Sequence, residues 1–221
     1  MVFRLKSTAA LAAVVATMMA APAQALEQGD WLMRVGIASV MPDEESGEVT
    51  GIADSGVSVD DATSVGFTFA YMATPNVGIE LLGALPFQHD ITGTGSIDGV
   101  AVGSTKHLPP TLVGQYYFQP NASVRPYIGA GLNYTTFFDE DADDELEAAL
   151  GGPTKINLED SAGLAVMAGV DMDAGDDWFF NASAWYMQID TEAELDTNGT
   201  IRTVDVDINP WAVMIGVGTS F

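Results

Sequence analysis

Asn209-Pro210-Trp211-Ala212-Val213-Met214-Ile215-Gly216-Val217-Gly218-Thr219-Ser220-Phe221 closes the chain. Counted back by twos from Phe221, one set of residues is Thr219, Val217, Ile215, Val213 and Trp211, bulky and mostly apolar. The other set is Ser220, Gly218, Gly216, Met214, Ala212 and Pro210, small or polar. Two residues is the side-chain period of a strand, and an apolar face about 10 residues long with an aromatic at each end suits a strand that crosses an outer membrane. The chain is expected to end inside the wall, with no tail. The last strand of a soluble sandwich would alternate in the same way, so the remaining segments must decide.

Seven upstream segments alternate likewise. In the first, Trp31, Met33, Val35 and Ile37 oppose Leu32, Arg34, Gly36 and Ala38; in the next, Val65, Phe67, Phe69 and Tyr71 oppose Ser64, Gly66, Thr68 and Ala70. Val77, Ile79 and Leu81 then oppose Glu80, Leu82 and Ala84, and Leu112, Tyr116 and Phe118 oppose Thr111, Gln115 and Tyr117. Pro109 and Pro110 can sit only near the start of that fourth strand. Ile128, Ala130, Leu132 and Tyr134 oppose Arg125, Tyr127, Gly129, Gly131 and Asn133. Leu164, Val166, Ala168 and Val170 oppose Ala165, Met167 and Gly169, and Phe180, Ala182, Ala184 and Tyr186 oppose Asn181, Ser183, Trp185 and Met187. The eighth strand is read over 204–221.

The connectors run long, short, long, short, long, short, long. Residues 41–62, 86–106, 139–160 and 191–203 read as loops, with a short helical turn possible over 144–150, whereas the connections near 74–76, 119–121 and 173–177 are tight. An outer-membrane barrel requires that rhythm and an even strand count, and a sandwich does not. The fold class expected is therefore all-β: an eight-stranded antiparallel transmembrane barrel with long extracellular loops and short periplasmic turns. Closure follows because lipid offers no hydrogen bonds to a free sheet edge.

The chain begins with Arg4 and Lys6, an apolar run over 9–21 and Ala23-Gln24-Ala25, the layout of an export signal cut after Ala25. Residues 26–221 would then form the barrel. Loss of Arg4 and Lys6 leaves five basic residues against 31 acidic ones, a net charge of −26. Such a surface repels nucleic acid and anionic headgroups. The chain has no cysteine, so thiol chemistry and cysteine metal sites are excluded. The acidic run 139–144 lacks the glycine of a calcium loop at its sixth position. His89 and His107 flank the second long loop without a serine nucleophile block, and Gly129-Ala130-Gly131 precedes no helix, so neither an enzyme nor a phosphate loop is expected.

Several blocks resemble the OmpW family of outer-membrane barrels, which includes AlkL-type hydrocarbon uptake proteins. They are residues 76–91 (NVGIELLGALPFQHDI), 107–112 (HLPPTL), 125–138 (RPYIGAGLNYTTFF), 181–187 (NASAWYM) and 209–211 (NPW). The resemblance spans essentially all of the mature chain and implies passage of small hydrophobic molecules across the outer membrane of a Gram-negative bacterium. Departures lie in the more acidic loops and in Thr219, where an aromatic is more usual.

Strand direction converts the inward residues into a map of the lumen. Arg34, Glu80, Gln115, Arg125 and Asp171 fall near the periplasmic end, where two arginines facing two carboxylates should pair as a plug. Above them Leu82, Ala84, Phe137, Trp185, Met187, Ile189 and Met214 form an apolar lumen, from which a solute would leave sideways into the bilayer. The expected partners are outer-membrane lipid and lipopolysaccharide, a small hydrophobic solute, and the barrel-assembly machinery, for which Trp211 and Phe221 are the signal. No cofactor is expected, and the sequence sets no oligomeric state. The alternative is a non-transporting barrel whose acidic loops serve as receptor, adhesin or surface stabiliser; a lumen filled throughout by interlocked polar side chains would favour it.

Overall fold

The computed structural model describes residues 25–175 and 177–221; the export signal expected over 1–25 lies, except for Ala25, outside them. In chain order the elements are β1 (Trp31–Met41), β2 (Glu45–Ser46), β3 (Ser55–Val59), β4 (Ala62–Thr74) and β5 (Val77–Ala84). β6 (Phe87–Gly95), β7 (Ala101–Leu108), β8 (Thr111–Tyr117) and β9 (Val124–Ala142) follow, then α1 (Asp144–Leu150). The remainder is β10 (Thr154–Leu158), β11 (Ser161–Gly175), β12 (Trp178–Met187), β13 (Asp190–Thr197), β14 (Thr200–Asp207) and β15 (Trp211–Ser220).

Eight of these strands close a ring in the order β1, β4, β5, β8, β9, β11, β12, β15 and back to β1, every pair antiparallel. The register can be followed once around: Trp31 to Tyr71, Ile79, Gly114, Ala130, Val166, Tyr186, Trp211 and finally Met41. The circuit returns to β1 ten residues above its start, from Trp31 to Met41. A stagger of ten over eight strands tilts them by about 40° and sets the backbone diameter near 16 Å, from ordinary strand spacings. At that tilt, the rise from Trp31 to Met41 is about 26 Å, close to the apolar height of an outer membrane.

Every residue on that circuit faces outward. The outward set of all eight strands is apolar or small, with Ile37, Ile79, Leu132, Leu164 and Ile215 half or more exposed and no charged residue among the described outward positions of the belt. Aromatic pairs mark its rims, Trp31 with Tyr71 at one end (ring centroids 5.2 Å apart) and Tyr186 with Trp211 at the other (5.3 Å). The short connections gather at the first rim. There, Thr74 Oγ1 accepts from the backbone N–H groups of Asn76 and Val77, and Asn76 Nδ2 donates to the Tyr117 carbonyl, tying the β4–β5 turn to β8.

At the other end the structure corrects the loop readings. Residues 86–106 are mostly the β6–β7 hairpin, which β3 extends on one side and the upper half of β9 on the other. Residues 191–203 belong to the β13–β14 hairpin, flanked by β10 and β2 in a second sheet. The strand expected over 204–221 breaks at 208–210, where β14 ends and the chain re-enters the wall as β15. The helical turn over 144–150 is α1, whose N-terminus is capped by Asp143 accepting from the Glu145 N–H at 2.9 Å. The two sheets and α1 continue the wall above the membrane belt as a cup.

The β1–β15 seam closes through paired glycines, Gly36 opposite Gly216. A Cβ on either would overlap the backbone of the opposite strand: that on Gly36 would meet Ile215, and that on Gly216 would meet Val35. Overpacking of this kind costs about 1–3 kcal/mol. Gly216→Val is therefore expected to lower the denaturant midpoint for refolding in lipid vesicles and reduce the heat-modifiable band on SDS gels; an unchanged midpoint would show that the seam can spread at no cost.

Candidate functional site: an ionic layer beneath an apolar chamber

Arg34, on the inward face of β1, is 1% exposed and uses its whole guanidinium. Nε and Nη2 grip both oxygens of Asp171 at 3.0 and 2.7 Å, Nη1 reaches Glu80 Oε2 at 2.5 Å and Thr68 Oγ1 at 3.3 Å, and Nη2 also donates to the Tyr117 hydroxyl at 2.6 Å. A planar fork of five N–H donors can satisfy two carboxylates at once, which an ammonium of the same charge cannot. Tyr117 and Tyr127 lie against each other in this layer with centroids 4.8 Å apart, and Asn181 Nδ2 donates to Tyr127 and Asp171, both at 2.8 Å.

The pairing differs from the expectation that two arginines would meet Glu80 and Asp171. Arg34 holds both, and Arg125 pairs instead with Asp173, which lies in β11 and not in the tight connection expected at 173–177. The signal was present: Asp171 and Asp173 are two apart, so both point inward if β11 continues, as it does to Gly175. The Phe179 ring lies against both cations, 5.4 Å from Arg34 and 5.6 Å from Arg125. Gln115 lies beside the layer, accepting from the Tyr117 hydroxyl at 3.3 Å. Below it, buried Leu26, Leu32 and Met72 line the turn end, with the Leu26 N–H bonded to the Pro120 carbonyl across the opening.

A neutral polar band follows, in which Asn133 Nδ2 donates to Thr111 Oγ1 and to Met187 Sδ. Above it the lining becomes apolar. Leu82, Ala84, Trp185, Met187 and Met214 surround a small cavity of about 20 Å³, while Phe137 and Ile189 lie higher, in the wall of a chamber inside the cup. The space open to the centre of a water molecule there is about 80 Å³. Val40 lines both cavities, so they are neighbours. Most of the chamber wall is aliphatic; Val49, Val57, Val102, Leu146 and Leu195 come from the segments expected to be loops, and Val204 and Val206 from the start of the expected eighth strand.

The polar groups of the chamber are two histidines and three threonines. His89 and His107 stack with centroids 4.9 Å apart, and Phe87 stacks on the other side of His107 at 5.4 Å. Both imidazoles sit above the membrane belt. Burial holds His107 neutral, with its pKa pushed down to about 3 and the neighbouring His89 adding to the effect; burial lowers His89 as well.

Two predictions follow from these environments. Arg34→Met strands two buried carboxylates, and breaking a buried ion pair in this way costs about 3–5 kcal/mol; urea titration in vesicles would register the loss, and a midpoint equal to wild type would contradict it. For His107, the folded pKa lies below the unfolded value near 6.5, so the cup keeps its full stability above that pH and loses it as the pH falls toward 3. At pH 5 the loss is on the order of 2 kcal/mol. Hydrogen exchange in β6 and β7, corrected for intrinsic rates, should quicken between pH 7 and 5, and equal protection at both would refute the assignment.

Comparison with known proteins agrees with this architecture. The OmpW family model matches residues 27–221. Outer membrane protein W of Vibrio cholerae is 44% identical over 98% of this chain and 100% of its own. The crystal structure of the outer membrane protein OprG from Pseudomonas aeruginosa superposes with a TM-score of 0.84 at 38% identity, covering 90% of this chain and 99% of that one. A more distant relative, the dibenzothiophene metabolism operon protein PahQ of P. aeruginosa, is 26% identical over 88% of this chain and 90% of its own. A closed eight-stranded wall that matches this family model from residue 27 to Phe221 makes the chain a member of the OmpW family, proteins of the Gram-negative outer membrane.

Proposed function

We propose that the protein is a passive, non-enzymatic conduit that takes small hydrophobic molecules from outside the cell and releases them sideways into the outer membrane. The observation that carries this reading is the vertical order of the lumen, an aliphatic chamber above a neutral polar band and, beneath that, a cross-section filled by ion pairs. Arg34, Arg125, Glu80, Asp171 and Asp173 would have to be separated or desolvated for an apolar solute to pass downward, and each buried charge so exposed costs several kcal/mol. The chamber lining also favours uptake over the anchor reading, which calls for polar packing throughout. The relative named for a dibenzothiophene metabolism operon is consistent with apolar cargo.

A sideways path has a physical candidate. The β5–β8 ladder ends at Leu82 opposite Thr111, and the next positions, Gly83 and Ala84, come opposite Pro110 and Pro109. Proline has no N–H to offer, so the wall there lacks ladder bonds. Pro109 lines the inner cavity with Leu82, Ala84 and Met187, and Pro110 lines a groove on the outer wall with Leu81 and Leu112. Solute would move from the first surface to the second. With this reading belong lipid and lipopolysaccharide around the belt, and recognition of Trp211 and Phe221, 50% and 73% exposed, by the barrel-assembly machinery.

Uptake of an apolar dye into proteoliposomes tests the proposal. Leu82→Asp and Trp185→Asp should cut it by about tenfold or more while heat-modifiable migration shows a folded barrel. The chain has no cysteine of its own, so Ala84→Cys with Pro109→Cys would supply the only thiols for a bond across the seam. Oxidation should stop uptake and reductant restore it; undiminished uptake in the oxidised form would remove the lateral route.

A further inference from the structure

His89 is 3% exposed and lines the chamber. Its Nδ1 lies 2.5 Å from the backbone carbonyl oxygen of Asp60. A carbonyl can only accept, so Nδ1 must carry the proton and Nε2 of the neutral ring must be the bare nitrogen, an acceptor. That nitrogen has no hydrogen-bonding partner among the described residues. His107 stacks on the ring face with an interplanar angle of 26°, and a stacked ring cannot donate into the in-plane lone pair of its neighbour. The hydroxyls of Thr105, Thr135 and Thr191 in the same wall donate to partners of their own, and in a mostly aliphatic chamber a buried acceptor held in one tautomer by the protein backbone is a directional feature. Flat surfaces lie beside it, since Phe87, His107 and His89 form a continuous stack.

We infer that the chamber selects apolar molecules that carry one hydrogen-bond donor, a ring N–H or a hydroxyl, placing the donor on His89 Nε2 and the flat body along the aromatic stack. The inference rests on the uptake reading and narrows its substrate class. A purely apolar chamber ranks solutes by buried hydrocarbon alone, so every added methyl group improves binding by about fourfold. A buried unpaired acceptor reverses that ranking wherever the methyl group replaces the donor, because the solute without a donor leaves Nε2 unsatisfied.

Indole and 1-methylindole differ in that way. Equilibrium binding of each to the full mature protein in lipid nanodiscs should show indole bound about fivefold more tightly, despite its smaller apolar surface. The chain contains only two histidines, which makes imidazole nitrogen NMR tractable. The His89 Nε2 resonance should move on addition of indole and stay in place with 1-methylindole. His89→Phe, which keeps a flat ring but removes the acceptor, should restore the hydrocarbon order with 1-methylindole ahead. If wild type binds 1-methylindole equally or better, or if indole leaves the His89 nitrogen unmoved, the selectivity is overturned while hydrophobic uptake stands. If neither probe binds, both readings fall. Because the wild-type ranking and the nitrogen shift need no substitution, the outcome does not depend on the variant folding.

Discussion

Hydrocarbon supplies no partner for a backbone N–H or carbonyl, so a sheet that crosses it must bond to itself all the way round. The antiparallel circuit from Trp31 back to Met41 meets that demand with eight strands and a stagger of ten. Those two integers leave an interior with room for one layer of side chains. Large inward groups therefore need small ones beside them. Gly169 leaves the place taken by the Tyr127 ring, Gly218 that of Phe179, and Gly66 that of Met214. The glycines of the lumen are the counterpart of its aromatic and ionic filling; neither set fits without the other.

The same narrowness governs the charges. An arginine inside a 16 Å cylinder has lost most of its water, and its carboxylates must be close enough to replace it. Arg34 answers with every donor it has, while Arg125 is held by Asp173, and the Phe179 ring, whose face is attractive to cations, lies against both. The result is a cross-section whose groups are costly to part. In the uptake proposal that layer would be a stop for charged and apolar solutes alike, and the geometry of the wall above it would then decide the route.

The membrane half of the fold was legible because lipid imposes one rule on eight strands: apolar residues at alternate positions, without interruption. The inward parity of Arg34, Glu80, Arg125 and Asp171 followed directly. Asp173 was hidden by the irregular pairing between Asp173 and Gly175, which made the end of β11 look like a turn. The cup was missed for a different reason. In β13, Thr191, Ala193, Leu195 and Thr197 alternate with Glu192, Glu194 and Asp196 as regularly as any barrel strand, but the carboxylates made the segment read as solvated loop. In water a half-buried strand is marked by its period of two, however acidic its outward residues are. The Pro210 break shows the converse: the apolar set passes from the even positions Val204, Val206 and Ile208 to the odd positions Trp211, Val213 and Ile215, and that change of phase marks the crossing from cup to wall within what reads as one long strand.

Seen along its axis, the wall inverts its chemistry as it leaves the bilayer. Within the belt the outside is apolar, facing lipid, and the inside carries the polar and charged residues. Above the rim the outside carries Asp90, Glu192, Glu194, Asp205 and Asp207, all exposed, while the inside holds Leu195, Val204 and Val206, all buried. The surroundings compel both halves. A strand in lipid can be polar only inward, whereas a strand in water gains burial energy only by turning its apolar side inward. A barrel extended past the membrane therefore acquires an apolar chamber and an acidic exterior together, from one requirement. The net charge of −24 is the outer face of the construction whose inner face is the chamber, and the level where the two patterns exchange is where Pro109 and Pro110 interrupt the ladder.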